Sequence, residues 1–176
     1  SADQGFASYT TTCNEYGFFN EMRYFDLEGR PCTNRSGYAI RRIVTDAQGN
    51  LLEDWYYNIQ DSLVLNSDGY AGVKSEYDGK GHATRITFYG TDQKPCLRPQ
   101  GVAGWNREYN AMGDVIRESY FDTDFKPVSD EDGAAILVID RDLRGNITRI
   151  SNFDAEGNPV LDNEGIASCI YKYDEN

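Results

Sequence analysis

One sequence pattern recurs along this 176-residue chain at a spacing of 32 residues. Two series of glycines and one series of aromatic residues mark it. The first glycine series, in which alanine follows two residues after each member, is Gly5, Gly37, Gly69, Gly101, Gly133 and Gly165. The second is Gly17, Gly49, Gly81, Gly113 and Gly145, and the aromatic series is Phe25, Tyr57, Tyr89, Phe121 and Phe153. Self-similarity at a fixed period of this length indicates a repeat architecture, in which each unit packs mainly against its neighbours.

The aromatic pairs set the unit boundaries. A partial unit, 1–23, precedes four units at 24–55, 56–87, 88–119 and 120–151, and a shortened unit covers 152–176. The chain ends as Tyr173-Asp174 opens a further hairpin whose return strand is missing. We therefore expect either a segment of a longer array or end-to-end association through the exposed edge.

Each unit contains two segments with β-strand character and a turn between them. In one example the segments are 37–45 and 51–57, and Asp46-Ala47-Gln48-Gly49 joins them. Asp or Asn caps such a turn, and glycine at its fourth place takes a positive φ, which produces a tight hairpin with a bulge. We therefore predict an all-β fold of tandem 32-residue β-hairpin repeats, forming a solenoid-like stack or a spiralling antiparallel array.

This turn also predicts how the two strands pair. If its bulge is the only irregularity, Thr45 lies opposite Leu51 and Arg42 lies opposite Asp54. The same rule places small residues opposite rings, which can then cover the bare backbone of the adjacent strand. The predicted pairs of this kind are Ala39–Tyr57, Ala71–Tyr89, Ala103–Phe121, Ala135–Phe153 and Gly104–Tyr120.

A second turn follows each aromatic pair and is clearest at Asp26-Leu27-Glu28-Gly29. Prolines come just after it in most units, as at Pro31 and Pro95. Because proline has no N–H to donate, we predict that the third strand of each unit is short or lies at an edge.

The stretch from Gly69-Tyr70-Ala71 through Glu76-Tyr77-Asp78 to Gly81 resembles the YD repeats of bacterial RHS-type proteins. Tyr24-Phe25-Asp26 with Gly29 is more weakly similar to WG-type and cell-wall-binding repeats. The resemblance implies tandem hairpins in a bacterial protein that is secreted or displayed at the cell surface. It implies no catalytic residues.

Net charge and hydropathy exclude some partners. The formal net charge is −12, which argues against nucleic acid and anionic membrane surfaces because both are polyanionic. No apolar run approaches the roughly 20 residues that a membrane-spanning helix needs. We predict no nucleic-acid partner and no membrane span.

The thiols and the single histidine show no catalytic or metal-binding spacing. Cys13, Cys32, Cys96 and Cys169 form no paired-cysteine motif, and they are either small buried residues or disulfide partners of undetermined connectivity. His82 follows a turn glycine, where other units have Asn or Asp. We therefore predict no catalytic residue, no metal and no cofactor.

Recurrent aromatic residues are the candidate ligand-binding groups, because rings exposed on a repeat scaffold can stack on sugars. The candidates are Trp55, Tyr56, Phe88, Trp105 and Tyr120. The alternative is that these rings are buried between packed elements.

Together these features predict a non-catalytic extracellular or cell-surface module for binding or scaffolding, whose partner is a cell-surface glycan or a protein. The alternative function is a self-assembling subunit of a shell or filament. A hydrolase is the third and least favoured hypothesis, since a unit-by-unit array has no reason to concentrate chemistry at one place.

Overall fold

The computed structural model describes residues 5–174, and all regular secondary structure in that range is β. The strands are β1 (Ser8–Cys13), β2 (Phe19–Phe25), β3 (Ile40–Thr45), β4 (Leu51–Tyr57), β5 (Gly72–Tyr77), β6 (Ala83–Tyr89), β7 (Gly104–Tyr109), β8 (Val115–Phe121), β9 (Ile136–Arg141), β10 (Ile147–Phe153) and β11 (Ser168–Ile170).

The described residues form two compact units, 5–76 with 86–99 and 77–85 with 100–174. In the first unit, β1 to β5 pair as consecutive antiparallel neighbours. In the second unit, β7 to β11 pair in the same way. Each unit is thus an open sheet of consecutive hairpins, and the predicted all-β class and tandem antiparallel array are confirmed.

The predicted register is correct next to the turn and wrong further along the hairpin. Thr45 lies opposite Leu51 as predicted, but the register then shifts between Val44 and Thr45. Leu52 is the extra residue on the return strand, so Arg42 lies opposite Trp55 and not opposite Asp54. The same shift occurs near the turn in the β1–β2, β7–β8 and β9–β10 hairpins, and it places Gly104 opposite Phe121 and not Tyr120. A bulge adds one residue to one strand, which changes every pairing beyond it by one.

At the open end of each hairpin, the alanine is hydrogen-bonded to the aromatic residue with which it was predicted to pair. The backbone N–H of Ala39 donates to the carbonyl of Tyr57 at 2.8 Å, although the Cα partner of Tyr57 is Ile40. The equivalent bonds join Ala71 to Tyr89 at 2.7 Å, Ala103 to Phe121 at 2.8 Å and Ala135 to Phe153 at 2.9 Å. The predicted pairing of these alanines is therefore wrong by one residue, as Ile40 and not Ala39 is the partner of Tyr57, and ring cover of the alanines stays a prediction.

Each full repeat contains three turns of one kind. In most of them the first residue is Asp or Asn, and its side chain accepts backbone N–H bonds from residues further along the turn, as Asp46 does from Gln48 at 3.0 Å and Asn50 at 2.8 Å. Gly90 and Arg98 begin two turns of the repeat 88–119 without such a cap. The turns that begin at Asp46 and at Asp26 were predicted from the sequence. The third was missed, and Asn66 opens it by accepting from Asp68 at 3.0 Å and Tyr70 at 3.3 Å. The signal was present, because Asn66 precedes Gly69 by the same three residues.

The predicted third strand is reduced to a single bridge. Phe25 pairs with Pro31, and the same isolated bridge recurs at Tyr57–Leu63, Tyr89–Pro95, Phe121–Pro127 and Phe153–Pro159. Proline has no N–H to extend such a ladder, although the same single bridge at Leu63 forms without a proline. The prediction of a short third strand is confirmed.

Candidate functional site

A continuous series of ring contacts lies on one face of the first unit. We call it the aromatic ladder. The ring centroids are separated by 4.6 Å for Phe6–Tyr24, 5.8 Å for Tyr24–Tyr38, 4.5 Å for Tyr38–Tyr56, 5.9 Å for Tyr56–Tyr70 and 4.9 Å for Tyr70–Phe88. These separations are typical of favourable tilted and edge-on ring pairs.

Two positions of the repeat supply the ladder. One position is the penultimate residue of β2, β4 and β6, which is Tyr24, Tyr56 or Phe88. The other directly follows the glycine of the third turn, as Tyr38 and Tyr70 do. Because both positions recur every 32 residues, each hairpin adds two rings to the series, and the three strand rings are 6–7% exposed.

A buried acidic group binds the hydroxyl of the ladder residue Tyr56. Tyr56 Oη donates to Asp54 Oδ2 at 3.0 Å, and Arg41 binds the same carboxylate at 2.7–3.0 Å. Asp54 is only 2% exposed, so this ion pair is a buried structural element. Burial raises the pKa of the Tyr56 phenol, and the nearby Asp54 charge raises it further. Tyr56 is therefore a structural hydrogen-bond donor and stays protonated.

The second unit repeats this arrangement once. Tyr120 Oη donates to Glu118 Oε1 at 2.6 Å, and Arg107 binds the other carboxylate oxygen of Glu118. Burial raises the pKa of Tyr120, and the hydrogen bond to Glu118 adds to the effect. An acid two residues before the strand ring is thus common to both units.

Trp55 points to the opposite side of β4 from Tyr56 and covers Gly72 of β5. The two residues are cross-strand partners, and a Cβ added at Gly72 would overlap the indole ring. Trp55 Nε1 donates to Glu53 Oε2 at 2.7 Å, and Lys74 Nζ lies 3.0 Å from the same glutamate. Aromatic cover of bare backbone was predicted within hairpins, whereas this pair lies between adjacent hairpins and was not predicted.

The structure corrects the predicted exposure of the candidate ligand-binding rings. Three of these side chains are only 6–7% exposed, namely Trp55, Tyr56 and Phe88. Trp55 packs over Gly72, and the other two rings pack within the aromatic ladder. Trp105 and Tyr120 are half-buried, and the guanidinium of Arg107 lies 4.0 Å from the Trp105 ring. Sugar contact by Trp105 and Tyr120 stays a prediction.

His82 is a packing residue in the second unit. Its ring stacks on Tyr109 at 4.7 Å with an interplanar angle of 22°, and its Nδ1 lies 2.9 Å from Asp78 Oδ2. Its Nε2 would lie 2.7 Å from a Cβ added at Gly113, so the imidazole covers the first-turn glycine of the next hairpin. Each of these contacts orders the turns of the array.

The remaining chemical predictions concern cysteines, metals and membranes. Cys13, Cys32, Cys96 and Cys169 are free thiols, so the candidate disulfides are not formed in this structure. Residues 5–174 contain no group of three or more His, Cys, Asp or Glu side chains that could hold a metal ion. In the same range no helix has the length and apolar character to cross a membrane.

The second unit contains a cavity where the repeat positions of the ladder lack large rings. Ala134 stands at the position of Tyr38 and Tyr70, and Asn152 stands at the position of Tyr24 and Tyr56. A cavity of about 280 Å³ is present there, with Tyr120, Ala134 and Asn152 in its wall. Small residues in place of two rings account for the space.

Four carboxylates line this cavity, from Asp130, Asp132, Asp162 and Glu164, and no basic side chain lines it. Asp130 and Asp162 each open a third turn, which holds their carboxylates in place. Asp130 Oδ1 accepts from Asp132 at 3.0 Å and Ala134 at 3.2 Å. Burial raises the pKa of Asp130 despite those bonds. We name this site the acidic cavity.

The carboxamide of Asn152 is hydrogen-bonded to two residues at the acidic cavity. Asn152 is 7% exposed, and its Nδ2 donates to Asp162 Oδ2 at 3.2 Å and to the Ile166 carbonyl at 3.0 Å. This site was not predicted from the sequence, and the signal that could have found it was the loss of aromatic residues at 134 and 152.

Comparison with known proteins shows no matching family model and no matching curated protein. Among solved structures, the chain is similar to one in the Photorhabdus luminescens Tc holotoxin pore, with 15% identity, a TM-score of 0.36, and coverage of 82% of this chain and 7% of that one. It is also similar to one in a TcdB2–TccC3–Cdc42 complex, with 14% identity, a TM-score of 0.23, and coverage of 85% and 9%. The chain thus spans less than a tenth of either neighbour, and no functional assignment rests on these scores.

Proposed function

We propose that this chain is a non-catalytic scaffold module of a bacterial extracellular or cell-surface protein. The observation that carries the proposal is the aromatic ladder, which uses the recurrent rings of the first unit for internal packing. A scaffold needs stability from each added repeat, and nearest-neighbour contacts of this kind supply it. The resemblance to YD repeats supports the extracellular bacterial setting.

The polar side chains support the non-catalytic part of the proposal. Asp54 is neutralised by Arg41 and bound by Tyr56, and Asp78 caps a turn and binds His82. A general base must reach a substrate proton from a cleft, and these groups are bound to neighbours within the fold. The recurring acids and the histidine therefore serve turns and strands.

Glycan binding is the competing function, and the burial of the candidate rings weakens it. Stacking on a sugar requires an accessible ring face, which Trp55, Tyr56 and Phe88 lack. Only Trp105 and Tyr120 keep partial exposure. The glycan hypothesis therefore depends on these two residues.

A glycan-array screen of monodisperse protein, together with a panel of hydrolase substrates, tests the proposal. We expect no saturable glycan binding and no turnover. The matched variants are Trp105→Ala, which removes a half-buried candidate ring, and Trp55→Ala, which removes a buried one. Saturable glycan binding that Trp105→Ala abolishes without lowering the melting temperature would overturn the scaffold proposal, and so would turnover of any substrate.

Electron microscopy of the same sample separates a scaffold module from the self-assembling alternative. We expect single particles under conditions where the protein is monodisperse. Regular filaments or closed shells would favour the alternative, in which the units mainly contact other copies.

A further inference from the structure

We draw no further inference here: the strongest candidate, the acidic cavity of the second unit, rests on a cluster of carboxylates with no second feature that points to a ligand, because Asn152 in its wall is hydrogen-bonded to Asp162 and to the Ile166 carbonyl.

Discussion

Single residues in this protein act mainly by covering or capping backbone. Trp55 covers Gly72, and Phe18 and His82 cover the turn glycines Gly49 and Gly113 of the following hairpins. A Cβ added at Gly49 would lie 2.8 Å from the Phe18 ring, and one added at Gly113 would lie 2.7 Å from His82 Nε2. At Gly49 and Gly113 the positive φ of 88° and 89° also favours glycine, whereas at Gly72 the overlap with the Trp55 ring is the reason. These rings can pack against the backbone because the partner residue has no side chain.

Gly72→Ala tests the cover at a position where backbone conformation does not require glycine. The added methyl would overlap the Trp55 indole, and overpacking of this kind should lower the free energy of unfolding by about 1–3 kcal/mol. Gly79→Ala is the control, since nothing lies within 4 Å of its Cβ, and it should change stability by no more than about 0.5 kcal/mol. Urea denaturation measures both, and equal effects would contradict the cover.

At the scale of elements, the three turns connect the hairpins and tie them to the sheet. In the second turn the fourth residue has a positive φ even when it is not glycine, as at Asp61 (64°), Gln93 (59°) and Phe125 (62°). Asp61 uses this conformation to bind Arg42 through both carboxylate oxygens at 2.6 and 2.8 Å. Arg42 also lies 4.5 Å from the Tyr57 ring, so this turn is anchored to β3 and β4.

Asn58→Ala tests the cap of that turn. Asn58 Oδ1 accepts from Gln60 and Ser62, both at 3.0 Å, and their loss should lower the free energy of unfolding by about 1 kcal/mol. Asn58→Asp should be tolerated, because Asp26, Asp122 and Asp154 open the equivalent turns. Thermal melting compares the two, and a loss as large in Asn58→Asp would show that the cap geometry is not responsible.

Hydrogen exchange should distinguish strands within the first unit. Every residue of β1 is exposed, whereas β4 contains the buried residues Asp54, Trp55 and Tyr56. Local opening requires less free energy where few groups are buried, so amides of β4 should exchange more slowly than those of β1. Mass spectrometry of peptic fragments measures this difference, and equal protection would mean that the unit opens only as a whole.

At the scale of the molecule, the two units share one hairpin plan and differ in what fills it. The first unit has the aromatic ladder, and the second has Val102, Ala134 and Ile166 at the position of Tyr38 and Tyr70. Stability in a repeat array is approximately a sum of local contributions, so the ladder makes the stability of the first unit depend on the protonation of its tyrosines.

Alkaline pH should therefore destabilise the protein through the ladder. Burial raises the pKa of Tyr24 to about 12 and also raises that of Tyr56. A phenol whose folded pKa lies above the unfolded value contributes stability that is complete below pH about 10 and is lost as pH rises through the folded pKa. We expect melting temperatures to fall as pH rises from about 10 towards 12. Tyr56→Phe should reduce this dependence, and an unchanged dependence would exclude the ladder as its cause.

Acidic pH should act through the turns. The pKa values of Asp26, Asp46, Asp142 and Asp154 are lowered by hydrogen bonds from within their turns, and a bond from His82 helps to lower that of Asp78 to about 2. Stability from a lowered carboxyl pKa is present above the unfolded value near 4 and is lost as pH falls towards the folded value. Melting temperatures should decline between pH about 4 and 2, and Asp78→Asn should shift the decline.

The period, the two predicted turns and the all-β class all follow from the amino-acid sequence alone. The turns depend on contacts within about four residues, such as those of Asp46 with Gln48 and Asn50. Such local hydrogen bonds can be predicted from the spacing of Asp, Asn and Gly in the sequence. The sequence also predicted that aromatic rings cover small residues of a neighbouring strand. In the structure the main pair of this kind is Trp55 and Gly72, which belong to adjacent hairpins.

The register, the burial of the rings and the acidic cavity depend on the folded chain as a whole. One bulge residue, Leu52, moved Arg42 from Asp54 to Trp55, and turn composition does not specify it. Whether Tyr56 faces solvent or packs between Tyr38 and Tyr70 depends on rings 14 to 18 residues away in the chain. The space beside Ala134 and Asn152 lies between residues of consecutive repeats, 120–164, and such packing follows from three-dimensional contact rather than from local propensity.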